Sequence, residues 1–342
     1  MTSYSDLTPV NIVTGFLGSG KTTLLQRLLH SPELSDVAVL VNEFGEVGLD
    51  HHLLQNVAES TLLLENGCVC CAVRGDLQKA LRNLLSQRTR GEIPHFRRVV
   101  IETSGLADPA PIAYTLLSEA VLRHHFRLSG IVTTIDAVNG RTHLADFPEA
   151  VKQASMADRL VLTKLDLCDE PAAAALRRQL RALNISAQIV QSDETQGDWH
   201  RLLTDDIYDV EGKFREAGHW TAEEGDGHEA HEHAAGVQSF AVIFDRPLDW
   251  TAFGVWASML LHRHGADVLR LKGLLNVAGV PTPVLINGVQ HIVHPPSHLE
   301  AWPDEDRRSR LVFIVRALER RRIERSLAVF NDLINAPAAV PA

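Results

Sequence analysis

Residues Gly15 to Thr23, GFLGSGKTT, follow the apolar run Val10-Asn11-Ile12-Val13-Thr14 and lead into Leu24-Leu25-Gln26-Arg27-Leu28-Leu29. A strand, a glycine-rich turn and a helix in this order restrict the fold more than any other stretch of the chain. The pattern G-x-x-x-x-G-K-[ST] is matched by Gly15, Gly20, Lys21 and Thr22. Glycines at 15, 18 and 20 let backbone N–H groups curl around a phosphate chain, and the N-terminus of the following helix favours negative charge. Lys21 is expected to reach the terminal phosphates and the Thr22 hydroxyl to ligate Mg²⁺, with Ser19 and Thr23 completing the loop. The first expectation is a nucleoside triphosphate site.

The rest of the first two hundred residues alternates short apolar strands with helical patterns. Val37–Asn42, Thr61–Leu64, Arg98–Thr103, Gly130–Asp136, Arg159–Thr163 and Ala187–Val190 read as strands, and Leu77–Ser86, Ile112–Ser118 and Ala172–Leu183 as helices. Such alternation predicts an α/β fold, a mainly parallel sheet covered by helices, with its site at the carboxyl ends of the strands. The segment 209–236 is rich in Gly, His and acid and reads as a linker. Beyond it a smaller α+β domain is expected. Its strands are Ser239–Phe244, Val268–Leu275, Val284–Asn287, Gln290–His294 and Arg310–Val315, and its helices Asp249–Arg263 and Arg320–Asn335. Trp250, Phe253, Val255, Trp256, Leu260 and Leu261 are read as one amphipathic face. The expected domains are 8–208 and 237–335, with a disordered tail at 336–342.

A formal charge of −10 argues against electrostatic nucleic-acid binding. No apolar stretch approaches the roughly 18 residues that span a bilayer, and MTSYSDLTPV lacks the pattern of a secretory signal. A cytoplasmic protein is expected, in which four cysteines are thiols or ligands rather than disulfides.

Three further groups of residues carry chemistry. Thr163-Lys164-Leu165-Asp166 follows an apolar strand and has the form of a guanine-reading motif, with Thr163 in place of the usual Asn. The Asp166 carboxylate can accept from guanine's N1–H and exocyclic amine while the Lys164 stem packs on the base plane. Glu102 ends the strand Arg98-Val99-Val100-Ile101 in IETSGLADP, where a Mg²⁺-supporting acid is expected, with Gly105 allowing backbone approach to the γ-phosphate. Glu43, in NEFGE after another strand, is expected to bind metal or orient water. Cys68-Val69-Cys70-Cys71 places three thiols in four residues, suited to Zn²⁺ or Cu⁺, and no second C-x-x-C closes the site. The open position is left to Glu43, a histidine, water or a client's ligand. Cys168 reads as a buried or loop thiol. His219, His228, His231 and His233 divide evenly between a loose Zn²⁺, Co²⁺ or Ni²⁺ site and a solvated linker.

Taken in order, GFLGSGKTT, Asn42-Glu43-Phe44-Gly45, Glu65-Asn66-Gly67-Cys68-Val69-Cys70-Cys71, Glu102-Thr103-Ser104-Gly105 and Thr163-Lys164-Leu165-Asp166 resemble the CobW-like GTPases, relatives of the nickel-enzyme GTPases that serve urease and hydrogenase. The resemblance extends over about 236–320 to the CobW C-terminal domain. It implies slow GTP hydrolysis with Mg²⁺, Zn²⁺ (or Co²⁺ or Ni²⁺) at Cys68, Cys70 and Cys71, and delivery to a client metalloenzyme. It also implies that Cys71-Ala72-Val73-Arg74-Gly75 lies against the nucleotide, Arg74 included, and that the chain can pair as a homodimer. Two other readings stay open at this point: a metal buffer or sensor tuned by GTP, and a P-loop ATPase or kinase with incidental cysteines.

Overall fold

In the computed structural model residues 6–41, 62–65, 74–191, 199–205 and 236–335 are described. Glu43, Cys68, Cys70, Cys71, the four linker histidines and the tail at 336–342 lie outside them. The chain divides into two compact units, Met1–Arg181 with Ala187–Asp209, and Ala182–Ser186 with Val210–Ala342.

The first unit is built on seven parallel strands. These are β1 (Thr8–Gly15), β2 (Val37–Val41), β3 (Leu62–Glu65), β4 (Arg98–Glu102), β5 (Phe126–Asp136), β6 (Arg159–Thr163) and β7 (Gln188–Gln191), in the spatial order β3-β2-β4-β1-β5-β6-β7. β1 is central and pairs β4 on one side and β5 on the other. Helices cover the sheet: α1 (Lys21–Leu29), α2 (Arg74–Thr89), α3 (Ala110–Ser118), α4 (Gly140–Asp146), α5 (Pro148–Met156), α6 (Glu170–Leu183) and the short α7 (Arg201–Thr204). Strands buried on both faces show no alternation of buried and exposed positions, and β5 has ten of its eleven residues buried, the polar Ser129, Thr133, Thr134 and Asp136 among them. That strand starts at Phe126, earlier than the expected Gly130. α1 buries Leu24, Leu25, Leu28 and Leu29 against Val13, Val39 and Val100. Each such leucine contributes about 1.5–3 kcal/mol relative to exposure, so the helix carrying the phosphate loop is anchored on the sheet.

The second unit is an antiparallel sheet with two helices. β8 (Val237–Phe244), β9 (Val268–Leu275), β10 (Val284–Val289), β11 (Ile292–Val293) and β13 (Ser309–Arg316) lie in the order β11-β10-β9-β13-β8, and β12 (Ser297–His298) pairs β10. α8 (Trp250–His264) and α9 (Arg320–Asn335) join the core formed by Phe240, Trp256, Leu271, Phe313 and Leu327. The Asp249 side chain caps α8 by accepting from the Ala252 N–H at 2.8 Å, and Trp256 Nε1 donates to Ser326 Oγ at 2.9 Å, tying the helices together. Phe253, Trp256 and Leu261 face the core, but Trp250 and Val255 are exposed. At 100° per residue Val255 lies about 200° around the helix from Phe253, on its far side, while Trp250, at an inward angle and stacked on Phe253, is exposed as the first residue of α8, so the expected apolar face was drawn too wide. The expected strand Gln290–His294 is also shorter than read. Gln290 (φ 50°) and His291 form a two-residue turn between β10 and β11.

One ion network beside β13 makes a testable statement about stability. Arg310 is buried and donates to both Asp304 oxygens at 2.7 and 2.9 Å, while Arg308 grips Asp306 through Nε and a second nitrogen at 2.8–3.0 Å. Hydrogen bonding from Arg308 outweighs partial burial and, with the charge of Arg310, holds the Asp306 carboxyl down at about 2. A carboxylate whose folded pKa is depressed stabilises above its unfolded value near 4 and loses that contribution as pH falls through its folded one. The stability difference between wild type and Asp306→Asn, measured by urea unfolding, should therefore be constant above about pH 5 and shrink between about pH 4 and 2. A difference that does not change over that range would detach Asp306 from acid stability.

Candidate functional site

Because the strands of the first unit are parallel, their carboxyl ends share one edge, and the register brings the site together there. Val13 lies beside Glu102, Gly15 beside Thr134 and Asp136 beside Thr163. The phosphate loop after β1 therefore stands between the ends of β4 and β5.

Gly15 adopts φ +141°, and a Cβ there would come within 2.3 Å of Thr134 Oγ1 and 2.5 Å of its carbonyl oxygen. No other residue fits that close approach. Ser19 is buried with its hydroxyl 2.6 Å from that of Thr134, fixing the floor of the loop. Lys21 opens α1 and its Nζ donates to the Gly15 and Phe16 carbonyls at 3.0 and 3.1 Å, so its side chain folds back along the loop. Thr22 Oγ1 donates to Glu102 Oε1 at 2.7 Å. The two oxygen ligands expected from separate motifs thus touch, and Glu102 is 4% exposed. A hydroxyl and a carboxylate at this separation suit the all-oxygen shell that Mg²⁺ prefers.

Behind the loop, Thr103 Oγ1 donates to Thr14 Oγ1 at 2.8 Å. Gly105 lies so close to the loop that a Cβ would meet the Leu17 N and Cα atoms at 2.7–2.8 Å. Its lack of a side chain therefore serves contact with the phosphate loop itself. Two residues of α5 hold this segment. Gln153 Nε2 donates to the Gly105 and Ala107 carbonyls at 3.1 and 3.0 Å, and Lys152 pairs with Asp108 at 2.5 Å. The Phe16 ring packs on His143 and Phe147, with centroids 4.7 and 4.6 Å away.

Thr163 turns toward the loop. Its hydroxyl donates to the Ser19 carbonyl at 2.8 Å, with the Ile135 carbonyl at 3.2 Å. In this chain the threonine ties the T-K-x-D segment to the phosphate loop. Lys164 has φ 58°, in the left-handed region, and its ammonium meets Asp136 Oδ2 at 2.7 Å. Asp136 is buried, and burial opposes its ionisation, yet hydrogen bonds from Lys164, Asn139 and Val138 prevail and hold its carboxyl below the usual range. Asp166 stands exposed in the next turn. Cys168 is a free thiol directed at the Ala137 carbonyl, 3.4 Å away. Arg74 is the first residue of α2.

Sequence reading missed Asp136 and Gln153. Asp136 carried a signal, since it ends an apolar strand as Glu102 does. Gln153 carried none, as it lies within a helix far from every motif. Among the described residues no group of His, Cys, Asp or Glu is arranged to hold a metal by itself, and no helix is long and apolar enough to cross a membrane.

A phosphate loop at the carboxyl edge of a parallel sheet, followed by an acid on β4 and a T-K-x-D segment after β6, defines a P-loop nucleotide-binding protein. Residues 9–191 match the CobW/HypB/UreG nucleotide-binding domain and 237–331 the cobalamin synthesis protein cobW C-terminal domain. The chain belongs to the CobW/HypB/UreG family. It is 34% identical to the zinc chaperone YjiA of Escherichia coli K12, over 93% of this chain and 97% of the relative. It is 31% identical to the zinc chaperone CobW of Pseudomonas aeruginosa, over 93% and 90%. The crystal structure of Zn(II)-bound YjiA GTPase from E. coli superposes with a TM-score of 0.69 at 28% identity, covering 95% of this chain and 99% of that one.

Proposed function

We infer that this chain is a GTP-hydrolysing zinc metallochaperone. In this reading it works in the cytoplasm, takes up Zn²⁺ at Cys68, Cys70 and Cys71, and passes the ion to a client metalloenzyme. The observation that carries the reading is the shared sheet edge. The phosphate loop, Glu102 and Thr163 all end strands there, and β3 ends at Glu65 on the same edge, a short step in sequence before Cys68. The relatives' names, zinc chaperone and zinc-regulated GTPase metalloprotein activator, support the same assignment.

Each described residue then has a task. Lys164 and Asp166 hold guanine, and Thr163 keeps them in register with the loop through Ser19. Backbone N–H groups from Gly15 to Thr23 and the α1 N-terminus receive the phosphates, and Lys21 balances the charge that builds on the terminal phosphate during transfer to water. Thr22 and Glu102 would hold Mg²⁺, which would supply positive charge to offset that of the phosphates. Glu43 is assigned to the link between that site and the cysteines.

If nucleotide and zinc are coupled, GTP must change zinc affinity by the factor by which zinc changes GTP affinity. Competition against a zinc chelator should show binding about 10-fold tighter with a GTP analogue and Mg²⁺ than with GDP, equivalent to about 1.4 kcal/mol. Equal zinc affinity in the nucleotide-free, GDP and GTP-analogue states would leave a GTPase and a metal site with no energetic connection, and the chaperone reading would fail.

A further inference from the structure

Asp136 stands at the end of β5, in register with Thr163, and its two oxygens are divided between two tasks. Oδ1 accepts from the backbone N–H groups of Val138 and Asn139 at 2.8 and 3.1 Å, closing the turn that leads into α4. Oδ2 accepts from Lys164 Nζ at 2.7 Å and from Asn139 Nδ2 at 3.1 Å. The carboxylate is 2% exposed, whereas the Lys164 side chain is 36% exposed and reaches out from it. Lys164 is one of three non-glycine residues with positive φ among those described. Such a backbone persists only where its surroundings over-determine it. Here the surroundings are the Asp136 ion pair and the Ala137 N–H, which donates to the Thr163 carbonyl at 2.9 Å.

We propose that Asp136 is the positioning residue for guanine recognition, anchoring the Lys164 ammonium so that the lysine stem is held ready as a platform for the base. This rests on the reading of Lys164 and Asp166 as the guanine site. A lysine stem has four rotatable carbons and considerable rotamer entropy. Pinned at its far end by a buried anion, it loses that freedom before nucleotide arrives, and affinity rises because the ordering cost is met in advance. The effect falls on the base, which GDP and GTP share, and not on the phosphates.

The division between the oxygens makes the proposal separable from a merely structural role. Asp136→Asn keeps an oxygen for Val138 and Asn139 and places an amide, unable to accept, opposite Lys164. It should weaken GDP and a non-hydrolysable GTP analogue by the same factor, about tenfold, as expected for losing a charge-assisted bond. In steady-state GTP turnover the loss should appear in KM. Lys164→Met should weaken both nucleotides too, and adding Asp136→Asn to it should change affinity less than twofold, because the group through which Asp136 acts is gone. Should Asp136→Asn not fold, Asp136→Ser, which retains an Oγ acceptor for the turn, enters the same cycle. An equal further loss in the Lys164→Met background would overturn the proposal and leave Asp136 as a turn cap. Unchanged GDP affinity in Lys164→Met alone would instead remove the guanine-site assignment, and the positioning role with it.

Discussion

Lys21→Ala should lower GTP turnover by about 100-fold or more while leaving the nucleotide-free protein at least as stable as wild type. The first half follows from electrostatics. Lys21 is the cation of the phosphate loop, already folded back by the Gly15 and Phe16 carbonyls at 3.0 and 3.1 Å, so little reorganisation is required when charge builds on the terminal phosphate. Removing one preorganised donor of this kind costs about 10²–10³ in rate. The second half follows from the helix. A lysine in the first turn of α1, whose only other charged residue is Arg27 in the last turn, sits at the positive end of the macrodipole. Alanine is also the better helix former. Single-turnover hydrolysis and urea unfolding of the same preparation test both halves. Wild-type turnover would take the loop out of the mechanism, and a large loss of stability would mean that Lys21 is a structural residue.

Gly15→Ala should be more damaging to the fold, by about 3 kcal/mol or more, and should remove nucleotide binding with it. Its Cβ would meet the Thr134 hydroxyl, the Thr134 carbonyl and the Ser19 hydroxyl at 2.3–2.7 Å, on a backbone at φ +141°. The carbonyl cannot yield, because Thr134 is paired with Gly15 in the sheet. Overpacking and backbone strain each cost about 1–3 kcal/mol, and here both apply. Gly18→Ala is the control. It has φ +68° but nothing within 4 Å of its Cβ, so only the strain remains. Equal urea midpoints for the two variants would show that the contact with Thr134 has no weight.

The parallel sheet was legible because most of its strands carry a short apolar run, and β3, β4 and β6 end it on a polar residue, Glu65, Glu102 and Thr163. Lys21, Thr22, Glu102, Thr163 and Lys164 were legible for the same reason, each lying at or just beyond such an end. What local pattern could not disclose was pairing across the edge. That Thr22 meets Glu102, or that Thr163 serves the Ser19 carbonyl, depends on β1 lying between β4 and β5, and no residue near either motif records that order. Asp136 carried the same strand-end signal as Glu102, but the group it serves, the Lys164 ammonium, is brought beside it only by the pairing of β5 with β6. In the second unit, Val255 was assigned inward because hydrophobic type was weighed above angular position, whereas Trp250 has the angular position of the inner face and is exposed as the first residue of α8. The Gln290–His291 turn was missed because it contains neither glycine nor proline.

The central place of β1 also bears on how the protein is made. β1 leaves the ribosome before either of its sheet neighbours, since Val10 pairs with Val99 and Leu128, both synthesised much later. At about 5–20 residues per second, β1 waits on the order of 5–25 s for its partners. Throughout that interval a strand of high apolar content, open on both edges, is displayed on the nascent chain, a template for pairing with other chains. Synthesis speed between residues 16 and 126 therefore sets how long each new molecule is vulnerable to aggregation. Codons that prolong this wait should lower soluble yield more than the same delay placed well downstream of Asp136, once β5 has cleared the ribosome.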